Sequence, residues 1–399
     1  MKAEAGADPV PTARRASGAA ERLDAALAPY RATIASALRQ AVTRVRTPAP
    51  ADAATAERLS RFYGQMEYHF GWRDASLAPA TARPGKLLRP VLVLLAHDLA
   101  HATPGNKPGR PGRDVAAILP AALAIELVHN FSLIHDDIED GDERRHHRPT
   151  LWTVWGQPQA INTGDGMFAL ARLTLLDLAE SGVPDAVVLR LCALLDLTCL
   201  RLCEGQFLDM SFEGQHDITP ALYLNMIERK TAALMECALE FGARLAGLDG
   251  EAATRYAAFG NCLGVGFQLR DDILGIWASD GKLGKDAAGD LRRRKMTLPT
   301  IHALATAGAA DRAALEAFLA AEGAASDASV AGLLAILERT GARAAALAAL
   351  RARSVESRRL LDTIAAGAGA GAAATRAALA ALVDYIEADL PDPPTDHAG

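Results

Sequence analysis

Two short acidic segments of this 399-residue chain each follow an apolar stretch. In the first, five acidic side chains fall within residues 136–142, directly after the mostly apolar residues 125–134. If this stretch is helical, Asp136 and Asp140 lie one turn apart on one face. Carboxylates so close repel each other, so cations must neutralise them in a cleft. Their hard oxygen atoms suit Mg²⁺, which keeps several waters and bridges to substrate phosphates.

The second acidic segment, Asp271-Asp272, begins 135 positions after Asp136 and again follows an apolar helical pattern. One such segment alone is more often a solvated helix end. Two of them predict two helices that face each other across one polyanion site. Facing sets of carboxylates have little to hold except cations with phosphate groups between them.

Basic residues recur beside these acidic segments. Lys86 and Arg89 lie three positions apart at the predicted start of a helix, where the helix N-terminus and two cations favour a diphosphate. Further basic groups stand in residues 145–148, 228–231 and 292–295. Each group alone is more often a solvated surface. Their repeated pairing with acidic helices supports a diphosphate site.

The whole set of motifs resembles the trans-isoprenyl diphosphate synthase (polyprenyl synthetase) family, from about residue 65 to about residue 300. The matching segments stand in the family's order and spacing as PGKLLRP, HNFSLIHDDIEDGDERRHHRPT, NTGDGMF, GQFLDM, ERKTAAL, GVGFQLRDDILG and GKDAAGDLRRRKMTLP. A chance match to all of them is negligible, although one acidic motif would be weak support. The resemblance implies an all-α isoprenoid synthase fold, a helical bundle around a deep central cavity. It also implies a homodimer that joins isopentenyl diphosphate head to tail to allylic diphosphates.

The resemblance also implies how the acidic segments work. Three Mg²⁺ ions and cationic side chains would stabilise the departing allylic diphosphate, and the protein would supply position and electrostatics rather than a nucleophile. Asp136 and Asp140 would bridge two ions with Asp137 in support, and Asp271 would bind the third. Gln268, one turn before Asp271, could orient it. The expected metal-site residues are Asp136, Asp137, Asp140, Asp271 and Asp272.

Two further groups of residues would hold the two substrates. For the allylic diphosphate they are Arg145, Lys230 and Lys285 (with Lys282 as a close rival), with Thr231 shaping the pocket and Lys295 in a closing flap. For isopentenyl diphosphate they are Gly85, Lys86, Arg89, His129 and, in part, His146. Gln206 and Asp209 are expected to face the cleft, Phe267 to lie near the reacting carbons or in the core, and His135 to be structural.

Three positions depart from the family pattern. Leu87 stands where an arginine is usual, and that side chain is often not a ligand. His146 replaces the second arginine of a pair, so it would bind isopentenyl diphosphate more weakly above its pKa. Gly275 replaces the third aspartate of the second motif, which removes one supporting carboxylate but keeps Asp271.

The residues just before the first motif predict the product length. In the family they line the elongation pocket, and an aromatic residue four positions before Asp136 would close it early. Ser132 occupies that position and leaves the pocket open, while Phe131 and deeper side chains should stop it at moderate depth. The expected product is geranylgeranyl diphosphate (C20), with farnesyl diphosphate (C15) or a C25 product as rivals.

The composition excludes several other classes of protein. A net charge of −6 argues against nucleic acid as a partner. No apolar run reaches the roughly 18 residues of a membrane span, and no secretory signal is recognisable. The five cysteines show no metal-ligand spacing, which favours small buried thiols in a reducing cytoplasm.

The chain is expected to contain one all-α domain at residues 18–389, with a disordered N-terminal tail at 1–17 and a frayed tail at 390–399. A mobile flap is expected at 278–294. The predicted helices cover residues 18–46, 52–70, 86–99, 115–140, 159–180, 184–212, 220–245, 252–277, 298–308, 310–321, 327–340, 342–366 and 371–388.

Two other functions compete with the synthase. A class I terpene cyclase would share the first acidic motif and Mg²⁺, but would lack Lys86, Arg89 and the second aspartate pair. A catalytically silent partner subunit would be expected to have lost its aspartates, which are all present here.

Overall fold

Helices account for nearly all regular structure in the computed structural model, which describes residues 12–44, 47, 49–50, 52–81, 85–103, 115–278 and 288–391. The Ala-rich sequence and its apolar periodicity favour this outcome, and the all-α prediction is confirmed. The helices are α1 (Thr12–Thr43), α2 (Ala53–His69), α3 (Leu88–His101), α4 (Val115–Glu139), α5 (Leu151–Trp155), α6 (Gln157–Glu180), α7 (Asp185–Ser211), α8 (Pro220–Ile227), α9 (Ala233–Leu245), α10 (Gly250–Trp277), α11 (Gly289–Arg292), α12 (Leu298–Thr306), α13 (Ala309–Ala320), α14 (Asp327–Arg339), α15 (Ala342–Ile364) and α16 (Ala373–Glu387).

Three local features differ from the sequence prediction. Helix α1 begins at Thr12, inside the stretch that we expected to be a tail. The helix expected over 220–245 is interrupted by a π-helical turn, Glu228–Ala232, between α8 and α9. A two-stranded hairpin, β1 (Arg144–Arg145) and β2 (Arg148–Pro149), pairs antiparallel after α4, and the short α5 follows it. Residues 1–11 and most of the expected flap, 279–287, lie outside the described residues.

Helix α4 lies in the centre of the fold, packed against α3, α6 and α9. Its side chains from Ala121 to Val128 are all buried, as expected for the central helix of a bundle. Among the described residues, α4 alone has the length and hydropathy of a membrane span, which the sequence did not suggest. Because 61% of its most apolar window is buried inside the protein, core packing accounts for its composition.

A second, smaller apolar cluster lies beside this core and is formed by α11 to α14 with the end of α10. The basic residues that follow the second acidic motif attach α11 to it. Arg294 donates to the carbonyl oxygens of Phe318 (2.9 Å) and Gly323 (2.8 Å), and Arg292 pairs with Asp327 at 2.6 Å. These two arginines therefore hold the cluster together and are not aimed at a phosphate site.

Candidate active site

The first acidic segment lies at the C-terminal end of α4. The turn continues past the helix, since the Asp140 N–H donates to the Asp136 carbonyl at 2.8 Å. Burial, opposed by Lys230 and reinforced by Asp140, raises the pKa of Asp136 to about 6. Burial likewise raises the pKa of Asp137 to about 6, against the effect of Arg145, whose Nε donates to Asp137 Oδ1 at 2.7 Å. The structure thus brings these residues together, with Asp137 paired to Arg145 of the hairpin.

The π-helical turn places Lys230 opposite these carboxylates. Its ammonium donates to Asp209 Oδ2 of α7. Burial alone would lower the pKa of Lys230, but Asp209, Asp136 and Asp140 together raise it. Helix α7 can approach the turn closely only because of Gly205, where a Cβ atom would lie 2.2 Å from the Lys230 amide nitrogen. Gly205 of GQFLDM and the π turn therefore act together to position the Lys230 ammonium.

The two aspartates of the second segment have different environments. Asp271 is exposed, whereas Asp272 is buried and accepts hydrogen bonds from Tyr223 Oη (2.5 Å), Gln268 Nε2 (3.1 Å) and the Leu298 N–H (3.4 Å). Burial, opposed by these hydrogen bonds, raises the pKa of Asp272 to about 7. The structure does not support Asp272 as a direct metal ligand, because both carboxylate oxygens already have partners inside the protein. We assign it to holding α10 in place.

Gln268 also has a different partner from the one expected. It bonds to Asp272, one turn ahead, and not to Asp271 as its position suggested. Its Oε1 accepts from Thr231 Oγ1 at 2.9 Å, which ties the π turn to α10. Gln268 and Thr231 are therefore part of the frame that fixes Lys230 relative to the second acidic segment.

The missing third aspartate at Gly275 has a structural counterpart. A Cβ atom on Gly275 would lie 1.8 Å from Asp290 Oδ2, so the Asp290 carboxylate occupies the place of the absent side chain. Arg293 donates to the other Asp290 oxygen at 2.9 Å. The loss of a carboxylate at 275 is thus accompanied by a carboxylate from α11 in the same space.

The residues expected to bind isopentenyl diphosphate lie at the start of α3 and in the middle of α4. Arg89 Nη1 and His129 Nε2 are 3.1 Å apart. Burial and the Arg89 charge hold the pKa of His129 well below 6.5, so the neutral ring accepts this hydrogen bond. Burial raises the pKa of Glu126 to about 7, and Arg89 opposes the rise. Arg89 Nε is buried without a hydrogen-bond partner among the described residues.

Glu126 is linked to Asn130 and His69 by a series of hydrogen bonds. Asn130 Nδ2 donates to Glu126 Oε1 at 3.0 Å, and Asn130 Oδ1 is 3.1 Å from His69 Nε2. Burial, followed by the Arg145 charge, lowers the pKa of His69 to about 3, so this ring is a neutral donor. His146, in the tight turn of the hairpin, influences both His69 and His129 electrostatically. The turn of the hairpin is therefore close enough to His69 and His129 for its charge to act on both.

The start of α3 explains why leucine can replace the usual arginine at position 87, and it brings Lys86 into contact with α16. Leu87 adopts a left-handed backbone conformation (φ 48°) and is buried, so its side chain belongs to the core. Lys86 is exposed, and its Nζ donates to Tyr385 Oη of α16 at 2.6 Å. A side chain at Gly85 would meet nothing within 4 Å, so the structure gives no steric reason for that glycine.

A pocket extends from the first acidic segment between α4 and α7. Ser132 and Phe131 line it, as the product-length argument expected. Phe131 packs edge-on against Phe168 of α6, with ring centroids 5.1 Å apart. The other lining residues are His135, Asp136, Glu139, Leu202, Cys203, Gln206, Phe207, Met210 and Lys230.

The remaining sequence-predicted residues have mixed outcomes. Lys285 and its rival Lys282 lie outside the described residues. Lys295 is described and exposed. Phe267 packs near Tyr385, with ring centroids 5.9 Å apart, in agreement with the core-packing alternative. His135 packs against Phe131, and its Nε2 is 3.3 Å from the Ile161 carbonyl oxygen, as a structural residue would.

Sequence reasoning missed four residues of this site: Glu126, Tyr223, Asp290 and Tyr385. A signal existed for Glu126 alone, because a charged residue inside the apolar stretch 115–134 requires a partner. Tyr223 and Tyr385 reach the site through tertiary packing alone.

The carboxylates fit metal ions that arrive with a substrate. Within the described residues, no three His, Cys, Asp or Glu side chains form a ready cage for a cation. Mg²⁺ usually binds through one or two carboxylates, waters and substrate phosphates. Such a cation would stabilise the ionised form of the half-buried Asp136, whose pKa is raised.

Comparisons with known proteins agree with this geometry. The sequence profile described as Polyprenyl synthetase matches residues 72–337. The chain is 41% identical over 247 residues to a (2E,6E)-farnesyl diphosphate synthase of Mycobacterium tuberculosis, covering 62% of this chain and 64% of that protein. It is also 41% identical over 237 residues to a geranylgeranyl diphosphate synthase of the same organism, covering 59% and 63%. The chain thus matches somewhat less than two thirds of the length of these curated relatives.

A solved structure extends the likeness to nearly the whole chain. It is that of a polyprenyl synthetase from Streptomyces coelicolor, with a TM-score of 0.75 and 34% identity. The match covers 93% of this chain and 99% of that one. The profile, the relatives and the fold agree, and the chain belongs to the polyprenyl synthetase family.

Proposed function

We propose that this chain catalyses the head-to-tail condensation of isopentenyl diphosphate with allylic diphosphates, as an all-trans prenyltransferase. One observation carries the proposal: Lys230 faces Asp136 and Asp140 at the open end of a pocket that continues between α4 and α7. A diphosphate at the charged end and a prenyl chain along the pocket would fit this arrangement. The names of the relatives support the same activity.

The charged end would bind the allylic diphosphate. Three Mg²⁺ ions held by Asp136, Asp140 and Asp271, with Asp137 in support, would supply positive charge to the departing diphosphate. Lys230 adds a fixed cation whose position Asp209 sets. Arg145 donates from Nε to Asp137, and its Nη groups could donate to phosphate oxygens. Thr231, Lys285 and Lys295 belong to the same proposed allylic subsite.

Isopentenyl diphosphate would bind at the start of α3. Lys86 and Arg89 supply charge there. The buried Nε of Arg89, which has no hydrogen-bond partner among the described residues, is a donor that a phosphate oxygen could satisfy. His129 orients Arg89 through their 3.1 Å contact. Gly85 and His146 complete this proposed subsite. The released diphosphate is the base that we propose for the final proton loss, so no side chain is assigned that role.

The proposed product is geranylgeranyl diphosphate, with the C15 and C25 products as rivals. The small Ser132 side chain lines the pocket and leaves it open next to Asp136. Phe131 is held against Phe168 and narrows the pocket on the α6 side. Relatives of both chain lengths have the same identity to this chain, so they do not favour either.

The two competing functions predict different contents of the site. A terpene cyclase needs no second diphosphate subsite, whereas we propose that Lys86 and the paired Arg89 and His129 belong to one here. A silent partner subunit needs no exposed Asp271 or positioned Lys230. Both therefore rank below the synthase.

We further propose a homodimer through α6 and α7. The outer surface of α7 carries Leu189, Leu197 and Leu200 at helical spacing, each more than half exposed, and α6 adds the exposed Leu173 and Leu176. Apolar patches of this kind mark protein–protein contacts. A cytoplasmic location is proposed because all five cysteines are free thiols.

The decisive experiment incubates the protein with isopentenyl diphosphate and each of dimethylallyl, geranyl and farnesyl diphosphate, with and without Mg²⁺. Products are dephosphorylated and sized by chromatography. A Mg²⁺-dependent C20 alcohol is the expected result. A C15 or C25 alcohol would keep the activity and refute the pocket argument, and no elongation with any starter would refute the synthase.

A further inference from the structure

The last helix reaches the start of α3, where isopentenyl diphosphate is proposed to bind. Lys86 Nζ donates to Tyr385 Oη at 2.6 Å and also lies 4.4 Å from the centroid of the tyrosine ring. The two residues are 299 positions apart, so only tertiary packing brings them together. One side chain of α16 thus contacts the lysine through a hydrogen bond and through a cation–π interaction.

A second cation fixes the same ring. The Arg270 guanidinium lies 4.7 Å from the Tyr385 ring centroid. It also donates to the carbonyl oxygens of Ile386 (3.3 Å) and Ala388, at the C-terminal end of α16, where the helix dipole favours a positive charge. Arg270 is buried and directly precedes Asp271. The end of α16 is therefore attached to the second acidic segment.

These contacts restrict Lys86 before any ligand arrives. A free lysine side chain samples many rotamers, and this freedom is lost when it binds a phosphate. A contact that already holds the side chain reduces that loss and favours binding. The ammonium has three N–H groups and Tyr385 engages one of them, so the others remain for phosphate oxygens.

We propose that Tyr385 is a positioning residue for isopentenyl diphosphate, which acts by holding Lys86 and does not touch the substrate. The proposal rests on the function proposed above. It makes α16 part of the isopentenyl diphosphate subsite, although the sequence motifs of that subsite end near residue 148. It also links the subsite to Asp271 through Arg270.

The test is a set of substitutions with both KM values measured. Tyr385→Phe removes the hydroxyl but keeps the ring, and should raise the KM for isopentenyl diphosphate about two- to fivefold. Tyr385→Leu also removes the cation–π interaction and should raise it about five- to twentyfold. The KM for the allylic substrate and kcat should each change by less than about twofold in Tyr385→Phe, because Lys86 serves one substrate.

A double-mutant cycle shows whether Tyr385 acts through Lys86. In a Lys86→Gln background, Tyr385→Phe should have no further effect on the KM for isopentenyl diphosphate. Tyr30→Phe is the matched control, because it removes a hydroxyl that donates to Asp98 at 3.1 Å, away from Lys86. It should leave both KM values unchanged. Melting temperatures of all variants report any general loss of structure.

Two kinetic outcomes would overturn the positioning role. One is that the effects of Tyr385→Phe and Lys86→Gln simply add, and the other is that the KM values of both substrates change equally. Calorimetric binding of isopentenyl diphosphate, without an allylic partner, tests the role independently of turnover. If the unmodified protein makes no product, the proposed function fails. Equal isopentenyl diphosphate affinity in the unmodified protein and Tyr385→Leu would refute the role of Tyr385 alone.

Discussion

The buried carboxyl group of Glu126 should make the stability of the protein fall as the pH rises. Glu126 is 8% exposed in α4 and faces Arg89, and burial raises its pKa from 4.5 to about 7. A folded state with a raised pKa binds a proton more tightly than the unfolded chain does. The resulting stabilisation is complete below the unfolded pKa and is lost as the pH rises through the folded pKa.

The magnitude follows from the two pKa values. A pKa of about 7 in place of 4.5 corresponds to about 3.4 kcal/mol in the free energy of unfolding, at about 1.36 kcal/mol per pH unit. About 0.8 kcal/mol of this is already lost at pH 5, and nearly all of it at pH 8. Between pH 5 and pH 8, ionisation of Glu126 should therefore lower the free energy of unfolding by about 2.5 kcal/mol.

The assay is urea unfolding of the unmodified protein and of Glu126→Gln at several values between pH 5 and pH 8. Glutamine keeps an oxygen that can accept from Asn130 Nδ2 and removes the titration. The difference in unfolding free energy should grow by about 2.5 kcal/mol in favour of the variant across this range. Glu251→Gln, at a glutamate with a side chain that is 88% exposed, should show no such growth. Parallel pH profiles for Glu126→Gln and the unmodified protein would refute the reasoning.

Three further predictions concern the pocket and the frame of the site. Ser132→Phe fills the open side of the pocket and should shift the product from C20 toward C15, as measured by chromatography of the dephosphorylated alcohols. Gly205→Ala places a Cβ atom 2.2 Å from the backbone of Lys230 and should lower the unfolding free energy by about 1–3 kcal/mol. Because Lys230 would be displaced, the affinity for the allylic substrate should fall as well. Tyr223→Phe removes a 2.5 Å donor from buried Asp272 and should cost about 1–3 kcal/mol at pH 8 in urea unfolding.

Matched variants test the reason behind each of these results. Ser132→Ala should keep the C20 product, and a shortened product from it would contradict the steric argument. Gly332→Ala, at an exposed helical glycine with nothing within 4 Å, should stabilise slightly. Tyr63→Phe removes a hydroxyl from a partly buried ring outside the site and should cost little. Equal losses in Tyr63→Phe and Tyr223→Phe would refute the specific role of Asp272.

The fold class was predictable because it depends on local patterns. Long apolar periodicity and abundant alanine identify helices such as α4 and α7 to within a few residues. The π-helical turn was not predictable, since residues 220–245 keep a helical pattern throughout and the extra residue is accommodated only by packing against Gly205.

The residues of the site were predictable where a motif holds them close in sequence. Asp136, Asp137 and Arg145 are such residues, and the structure brings them together. The roles of Asp272 and Gln268 were not, because neighbouring positions on a helix point in different directions and burial decides which carboxylate is left exposed. Contacts such as Lys86 with Tyr385 lie beyond any local pattern.

The space shared by Gly275 and Asp290 bears on how motifs are read as signs of activity. Counting aspartates would class the second motif as degenerate, yet a carboxylate 15 positions downstream fills the gap. The two positions are sterically coupled, because any side chain at 275 would displace Asp290. Related sequences with glycine at the first position should therefore keep a short acidic residue at the second. If position 275 were judged alone, the carboxylate would be counted as lost, although Asp290 supplies one in the same space.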